Sequence, residues 1–151
     1  MENALYQLAE IEISYKPKFK ASQRPEIDCS LRAYHVLLSN WNLDRIELLE
    51  EFKILLLNRR NEVLGMVNIS QGGISGTVAD AKIIFAIALK ACASGIILSH
   101  NHPSGESDAS EADIALTRRL VEVGKLLEIK LLDHIIVCPD TYLSFKDEGI
   151  M

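Results

Sequence analysis

The sequence predicts an α/β fold with one mixed sheet flanked by helices on its faces. Two apolar runs around a polar turn are typical of a buried β-hairpin, and the segments after them alternate between helical and strand-like spacing of apolar residues. The chain has 151 residues, 48% of them hydrophobic, and can bury a core without disulfides or a structural metal. No repeat or Gly/Ser linker interrupts it, so we expect a single domain over residues 1–151.

The first fifty residues are expected to form an edge strand and a helix. Residues 8–19 alternate roughly as a strand, with three lysines on one side (Lys16, Lys18 and Lys20). Lysines on an edge strand prevent edge-to-edge aggregation, although the same basic row could contact nucleic acid. A helix is expected to begin near Asp28, a good N-cap residue, and to continue to about Glu50 after a polar break at Asn42.

The middle of the chain predicts a hairpin and a core helix. The run FKILLL from Phe52, the turn NRRN and the run EVLGMVNI form the hairpin of a largely buried sheet. After QGGISG, Thr77 and Asp80 have the spacing of a helix-capping pair, and isoleucines continue the helix at core positions (Ile83, Ile84 and Ile87).

The last third predicts a strand, a capped helix and two further strands. GIILS at residues 95–99 is a short apolar strand, and HNHPSGESDA after it is a loop. Ser110 and Asp113 cap a helix whose apolar stripe extends to Leu127, and LLDHIIVC and TYLSF are both strand-like. Helices interleaved with strands favour a mixed sheet covered on both faces.

Charge and cysteine content exclude several classes of protein. Asp and Glu outnumber Lys and Arg by 21 to 16, and with a net charge of −5 the molecule lacks the positive field of a dedicated nucleic-acid binder. No apolar stretch approaches the ~20 residues of a bilayer span, and the first residues lack the layout of a signal peptide. The three cysteines are far apart and form no C-x-x-C pair. We therefore expect a cytoplasmic protein with reduced thiols and no membrane partner.

Two histidines and an aspartate have the spacing of a metal site. In an extended segment, positions i and i+2 project to one side about 6.6 Å apart, so His100 and His102 can both direct a ring nitrogen at one point. Pro103 and Gly105 turn the chain, and Asp113 falls in the first turn of the next helix, where its carboxylate can be a third ligand. Three such ligands leave a fourth position for water, which is the pattern of a catalytic zinc and suits one Zn²⁺ per chain.

A catalytic metal also needs a general base close to it. We expect this base to be Glu51, because it begins the strand FKILLL and can stand at the sheet end beside the metal loop, whereas Glu50 would project elsewhere. The Ser110 hydroxyl could hydrogen-bond the oxyanion of a tetrahedral intermediate. The alternative for Ser110 and Asp113 is a simple capping box, and the alternative for Glu51 is a solvated strand end.

The segment from His100 to Asp113 resembles a known protease motif. It matches the pattern H-x-H-x7-S-x2-D of the JAMM (MPN-plus) metalloproteases at each defined position (His100, His102, Ser110 and Asp113). Glu51-Phe52 before a buried strand resembles the upstream glutamate of these enzymes, and SHNHPSG, S-x-x-D-I-A-L-T and LLDHIIV are similar to the RadC branch. The resemblance extends over residues 50–145 and implies a three-layer JAB-type fold related to the cytidine deaminases.

The same resemblance implies a zinc-dependent hydrolase that cleaves peptide or isopeptide bonds of a protein substrate. His100, His102 and Asp113 would bind one zinc ion. Glu51 would be the general acid/base that moves a proton from water to the leaving amine, and Ser110 would stabilise the transition state.

Two other functions remain open on the sequence. One is a non-catalytic scaffold, since metal-free members of the wider fold act in assemblies, although this chain keeps a complete ligand set. The other is a metal-dependent nuclease or DNA-repair factor, because the RadC branch often carries that label. Longer RadC proteins have a helix-hairpin-helix DNA-binding segment ahead of this domain, and residues 1–50 are too short and too poor in glycine turns to supply it.

His134 is a further candidate ligand next to Asp133. Its position in an apolar run, without a partner at metal-binding spacing, instead favours packing or a hydrogen bond to a ligand from behind.

Overall fold

The chain folds into a five-stranded mixed sheet with helices on both faces, which confirms the predicted fold class. The structure is a computed structural model and describes residues 6–12, 16–72 and 79–151. The strand order is β2-β1-β3-β4-β5, in which β3 and β4 are parallel and the other neighbours are antiparallel. The elements are α1 (Ser30–Ser39), β1 (Glu51–Leu57), β2 (Val63–Gln71), α2 (Ala81–Lys90), β3 (Gly95–Asn101), α3 (Glu111–Leu127), β4 (Lys130–Val137) and β5 (Tyr142–Ser144).

Alternation along the central strands gives the sheet two apolar faces. All seven residues of β1 and all seven of β3 are buried, as expected for strands covered on both sides. One face packs against α2 and α3 (Phe52, Ile54, Leu56, Ile84, Phe85, Ile96, Leu98 and Leu120). The other packs against α1 (Ala33, Tyr34, Leu37, Leu55, Leu57, Ile97, Ile135 and Val137). Because β-strand side chains repeat every two residues, neighbours in sequence are sent to opposite layers.

The crossover from β3 through α3 to β4 creates a candidate site at one end of the sheet. The carboxyl end of β3 lies beside the amino end of the antiparallel strand β1, with Phe52 opposite His100. Helix α3 begins after the loop that follows β3, and its N-cap Ser110 forms the predicted capping box with Asp113. Crevices at the carboxyl ends of strands in α/β sheets commonly hold ligands.

Most predicted elements are present, and the hairpin is the clearest of them. β1 and β2 pair antiparallel around the turn at residues 58–61, where the Asn58 side chain accepts hydrogen bonds from the backbone of Arg60 and Glu62. Helix α2 is also confirmed, but Asp80 is its N-cap rather than the acid of a cap begun by Thr77, which lies outside the described residues. Ile84 is buried as predicted, whereas Ile83 is exposed. None of the helices in the described ranges is long and apolar enough to cross a membrane.

The prediction of a helix from near Asp28 to about Glu50 is right at its start to within two residues and wrong at its end. Helix α1 begins at Ser30, and Asp28 pairs with Arg32 rather than capping the helix. After Ser39 the chain continues in turns, because asparagine side chains take the place of the helical ladder: Asn40 donates to the carbonyl of Val36, and Asn42 accepts from the backbone of Asp44.

The predicted edge strand over residues 8–19 is also wrong. Of those positions the structure describes 8–12 and 16–19, and neither part is a strand. Pro17 lies between the lysines and has no N–H for a strand ladder. The two edges of the described sheet are β2 and the short β5.

Candidate metal centre

The end of β3 brings the two motif histidines together. His100 lies on the α2/α3 face, with its ring stacked on Phe52 at a centroid distance of 6.0 Å. His102 follows the strand, and the Nε2 atoms of the two histidines are 2.8 Å apart. His100 is buried, whereas the His102 side chain retains 19% exposure. The pair therefore presents two ring nitrogens at a point that solvent can reach.

Asp113 brings a carboxylate to the same point from the first turn of α3. Its Oδ2 atom is 3.4 Å from Nε2 of His100 and 3.5 Å from Nε2 of His102. The same oxygen accepts a hydrogen bond from the backbone of Ser110 at 3.0 Å, and the Ser110 hydroxyl accepts from the backbone of Asp113. The capping box and the approach to the histidines are therefore compatible, since the cap fixes the carboxylate that faces them.

The three atoms fit a tetrahedral ion. Zinc with bonds of about 2.0–2.1 Å to nitrogen and oxygen keeps its ligand atoms roughly 3.3 Å apart, close to the 2.8, 3.4 and 3.5 Å found here. His102 Nδ1 lies 2.9 Å from the carbonyl of Glu106, so Nδ1 carries the proton of the neutral ring and Nε2 keeps its lone pair for a metal. An arrangement of lone pairs aimed at one another requires a proton or a metal cation among them.

The electrostatics of the cluster also favour a cation. Burial alone would raise the pKa of the Asp113 carboxyl, but hydrogen bonds to His100 and His102 hold that pKa well below its ordinary range. The hydrogen bond to Asp113 raises the pKa of His102 despite its partial burial. A positive charge at this point is thus stabilised before any ligand is considered.

A second carboxylate beside the histidines belongs to Glu50. One oxygen of Glu50 and one ring nitrogen of each histidine all lie within 4.8 Å of one another, so Glu50, His100 and His102 could hold a metal ion. Glu50 is partly buried, and burial raises its pKa, an effect that the neighbouring histidines oppose. Asp113 and Glu50 therefore flank the histidine pair, with Asp113 in the closer contact.

The prediction that Glu51 stands beside the metal loop is wrong. Phe52 pairs with His100 and shares its face of the sheet, so Glu51 points to the opposite face. There it is 1% exposed, and its carboxylate pairs with Lys53 Nζ at 2.8 Å and Arg45 Nη2 at 3.1 Å. Glu50, which the sequence reasoning set aside, is the glutamate that faces the histidines.

The Asn101 side chain, between the two histidines in sequence, holds the segment that carries Glu50. Its amide donates to the carbonyls of Ile46 at 2.6 Å and Leu49 at 2.9 Å, and its oxygen accepts from the backbone of Glu51 at 2.8 Å. Asn101 is fully buried on the face opposite His100. Sequence reasoning missed this residue, and a polar side chain inside a buried strand was the signal that could have found it.

His134 lies behind His100 rather than at the metal point. Its Nε2 is 2.7 Å from Nδ1 of His100, and its Nδ1 is 2.7 Å from the hydroxyl of Thr117. Complete burial holds the pKa of His134 well below its ordinary value, and the nearby His100 lowers it further. The expectation that His134 packs or hydrogen-bonds behind the ligands is confirmed by this geometry.

Comparison with known proteins agrees with the motif. Residues 27–150 match the family model described as the RadC-like JAB domain. The chain is 46% identical over 101 residues to a UPF0758 protein of Flavobacterium johnsoniae, covering 67% of this chain and 44% of that protein. It is 40% identical over 146 residues to a UPF0758 protein of Porphyromonas gingivalis, covering 95% of this chain and 63% of that protein.

Matches of this kind decide the family and leave activity open. The aligned regions span 44% and 63% of the length of those two relatives, and the name UPF0758 states no activity. The family model covers far more than half of this chain and includes the candidate site. The chain therefore belongs to the RadC-like JAB domain family.

Proposed function

We propose that this chain is a zinc-dependent hydrolase that cleaves peptide or isopeptide bonds with Glu50 as the general acid/base. The observation that carries the proposal is the convergence of two imidazole nitrogens and two carboxylates at one partly exposed point. These groups come from three separate segments, the approach to β1, the end of β3 and the start of α3. Membership of the JAB domain family, together with the motif, supports hydrolysis as the reaction.

Three side chains would hold the ion. Nε2 of His100, Nε2 of His102 and Oδ2 of Asp113 have the separations that a tetrahedral site requires, and three protein ligands leave one position for substrate or water. When bound, zinc supplies Lewis-acid activation of a carbonyl group and of water.

Glu50 would hold and move the proton. Its carboxylate accepts a proton from the attacking water and returns it to the nitrogen of the leaving amine. Partial burial raises the pKa of Glu50 above its ordinary value, which is the direction that suits a group that must both take and give a proton. Glu51 cannot replace it, because its two oxygens are engaged by Lys53 and Arg45 on the other face.

Ser110 would stabilise the developing negative charge on the substrate oxygen. Its hydroxyl oxygen already accepts the backbone N–H of Asp113, so the hydroxyl proton is the part that it can donate. The residue is exposed at the N-terminus of α3, whose positive end also favours a developing anion. The net charge of −5 supports a protein substrate over DNA.

The test combines metal content with cleavage. Protein stripped with a chelator and reloaded should contain about one zinc per chain by elemental analysis, and His102→Ala should lose most of it. Loaded wild type should cleave members of a quenched-fluorescent peptide library or an isopeptide-linked lysine conjugate. Glu50→Gln should keep the zinc and lose cleavage, whereas Glu47→Gln, which changes an exposed carboxylate three residues earlier, should resemble wild type.

Three results would overturn the proposal. Full zinc retention in a His100→Ala/His102→Ala variant would remove the site. Cleavage by Glu50→Gln at the wild-type rate would remove the proton-transfer role. A zinc-loaded protein that cleaves neither bond type but is retained on DNA in a salt-dependent manner would point to a nucleic-acid target instead.

A further inference from the structure

We infer that Thr117 and His134 are positioning residues that fix the His100 ring so that its Nε2 lone pair faces the metal. The inference rests on the metal site of the proposed function and adds to it two residues that do not touch the ion. Its basis is an unbroken chain of short polar contacts running from the backbone of α3 to the buried side of His100.

The chain has three links. The Thr117 hydroxyl is 2.7 Å from the carbonyl oxygen of Asp113 and also 2.7 Å from Nδ1 of His134. Nε2 of His134 is in turn 2.7 Å from Nδ1 of His100. The remaining nitrogen of His100, Nε2, is the atom that faces His102 and Asp113.

Counting donors along this chain assigns each proton. A backbone carbonyl can only accept, so the Thr117 hydroxyl donates to Asp113 and offers its oxygen as an acceptor. A neutral imidazole has one N–H, and that of His134 must therefore be on Nδ1, donating to Thr117. Nε2 of His134 then accepts from Nδ1–H of His100. His100 is left with an unprotonated Nε2, which is the form that binds a metal.

The surroundings keep water away from the chain of contacts. His134 and Thr117 are fully buried, with no exposed surface. Phe145 stacks on the His134 ring at 4.4 Å, and Phe52 packs against its edge at 5.7 Å. Because water cannot supply a substitute partner there, each donor depends on the acceptor that the fold provides.

One helix supplies both the ligand and the anchor of the chain. Asp113 and Thr117 lie four residues apart, one turn along α3, so the carboxylate of Asp113 reaches the metal point while its carbonyl fixes Thr117. The position of α3 against the sheet therefore fixes both the Asp113 carboxylate and the orientation of the His100 ring.

The experiment measures zinc affinity and ring protonation rather than activity. The zinc dissociation constant of the full chain is measured by competition with a chromophoric chelator for wild type, Thr117→Val, Thr117→Ser and His134→Phe. Removal of a hydrogen-bond partner behind a ligand costs about 10–100-fold in metal affinity, and we expect that loss in Thr117→Val and His134→Phe. Thr117→Ser keeps the hydroxyl and should restore the wild-type value.

Ser99→Ala is the matched control. Ser99 is also a fully buried hydroxyl that donates to a backbone carbonyl, that of Lys53, and it precedes His100 on β3 while pointing to the other face. Its loss should leave zinc affinity unchanged. In the ¹⁵N spectrum of the zinc-loaded wild type, His134 should carry its proton on Nδ1 and accept from His100 through Nε2, and Thr117→Val should weaken that preference.

The outcomes separate this inference from the function on which it rests. A wild-type chain that binds no zinc would overturn both. Zinc binding by wild type with unchanged affinity and an unchanged His134 spectrum in folded Thr117→Val would overturn only the positioning role. If Thr117→Val does not fold, Thr117→Ala and His134→Phe answer the same question. A loss of zinc affinity in Ser99→Ala equal to that in Thr117→Val would show a general effect of buried hydroxyls and overturn the inference.

Discussion

Two adjacent glutamates, Glu50 and Glu51, should respond differently when each is replaced by glutamine: one substitution should affect cleavage and the other the free energy of unfolding. Glu50 faces the histidines, whereas Glu51 lies in a buried ion cluster on the other face of the sheet. We expect Glu51→Gln to lower the free energy of unfolding strongly and Glu50→Gln to leave it almost unchanged. The two substitutions are identical in chemistry and adjacent in sequence, so each is the control for the other.

The magnitude follows from what each carboxylate touches. Glu51→Gln leaves the ammonium of Lys53, whose side chain is 8% exposed, without the negative charge that lies 2.8 Å from it. Loss of one member of a buried ion pair costs about 3–5 kcal/mol. We expect about 3 kcal/mol, because glutamine keeps one acceptor oxygen and the Lys53 ammonium retains the ring of Trp41 at 5.0 Å. Arg45 adds little, since its side chain is 40% exposed.

Glu50→Gln removes a charge that burial disfavours. The raised pKa of Glu50 means that its ionised form is less stable in the folded chain than in the unfolded chain. The Glu50 charge has no effect on the free energy of unfolding below the unfolded pKa, where the carboxyl is protonated in both states. It lowers that free energy as the pH rises from the unfolded pKa through the higher folded pKa. A neutral glutamine at neutral pH should therefore change the free energy of unfolding by no more than about 0.5 kcal/mol, and any change should be stabilising.

The assay is urea unfolding followed by fluorescence of Trp41, the one tryptophan of the chain, in buffer with a chelator. With a slope of about 1–3 kcal/mol per molar urea, the Glu51→Gln midpoint should fall by roughly 1–3 M. Glu51→Gln/Lys53→Met, which removes both charges, should recover much of the loss. Equal midpoints for the two single variants, or a greater loss in Glu50→Gln, would refute the assignment of the two side chains to opposite faces.

Two further predictions concern Asn101 behind the site and Ser110 beside it. Asn101→Ala should preserve zinc affinity within about threefold but lower the cleavage rate about 10–100-fold, because it releases the segment that carries Glu50. Loss of zinc affinity with an unchanged cleavage rate would contradict this role. Ser110→Ala should reduce stability by about 0.5–2 kcal/mol in thermal melts and the cleavage rate by about 10²–10³-fold. Ser110→Asp should recover the stability and not the cleavage rate. Recovery of both properties would mean that Ser110 is only a helix cap.

The sequence alone determined the features that depend on neighbours along the chain. The hairpin of β1 and β2 follows from two apolar runs around an asparagine-rich turn, and the start of α3 follows from the spacing of Ser110 and Asp113. The convergence of His100 and His102 belongs to the same class, since two residues at positions i and i+2 of an extended segment share a side.

Only the tertiary structure decided which distant side chains meet. The choice between Glu50 and Glu51 depends on the register of β1 against β3, and a shift of one residue sends each side chain to the opposite face. Asn101 reaches the 46–51 segment, and His134 reaches Thr117, through pairings across 17 to 55 residues. Local patterns state which residues are apolar, extended or capped, but register and helix placement are set by packing of the whole core, and these fix which groups share the site.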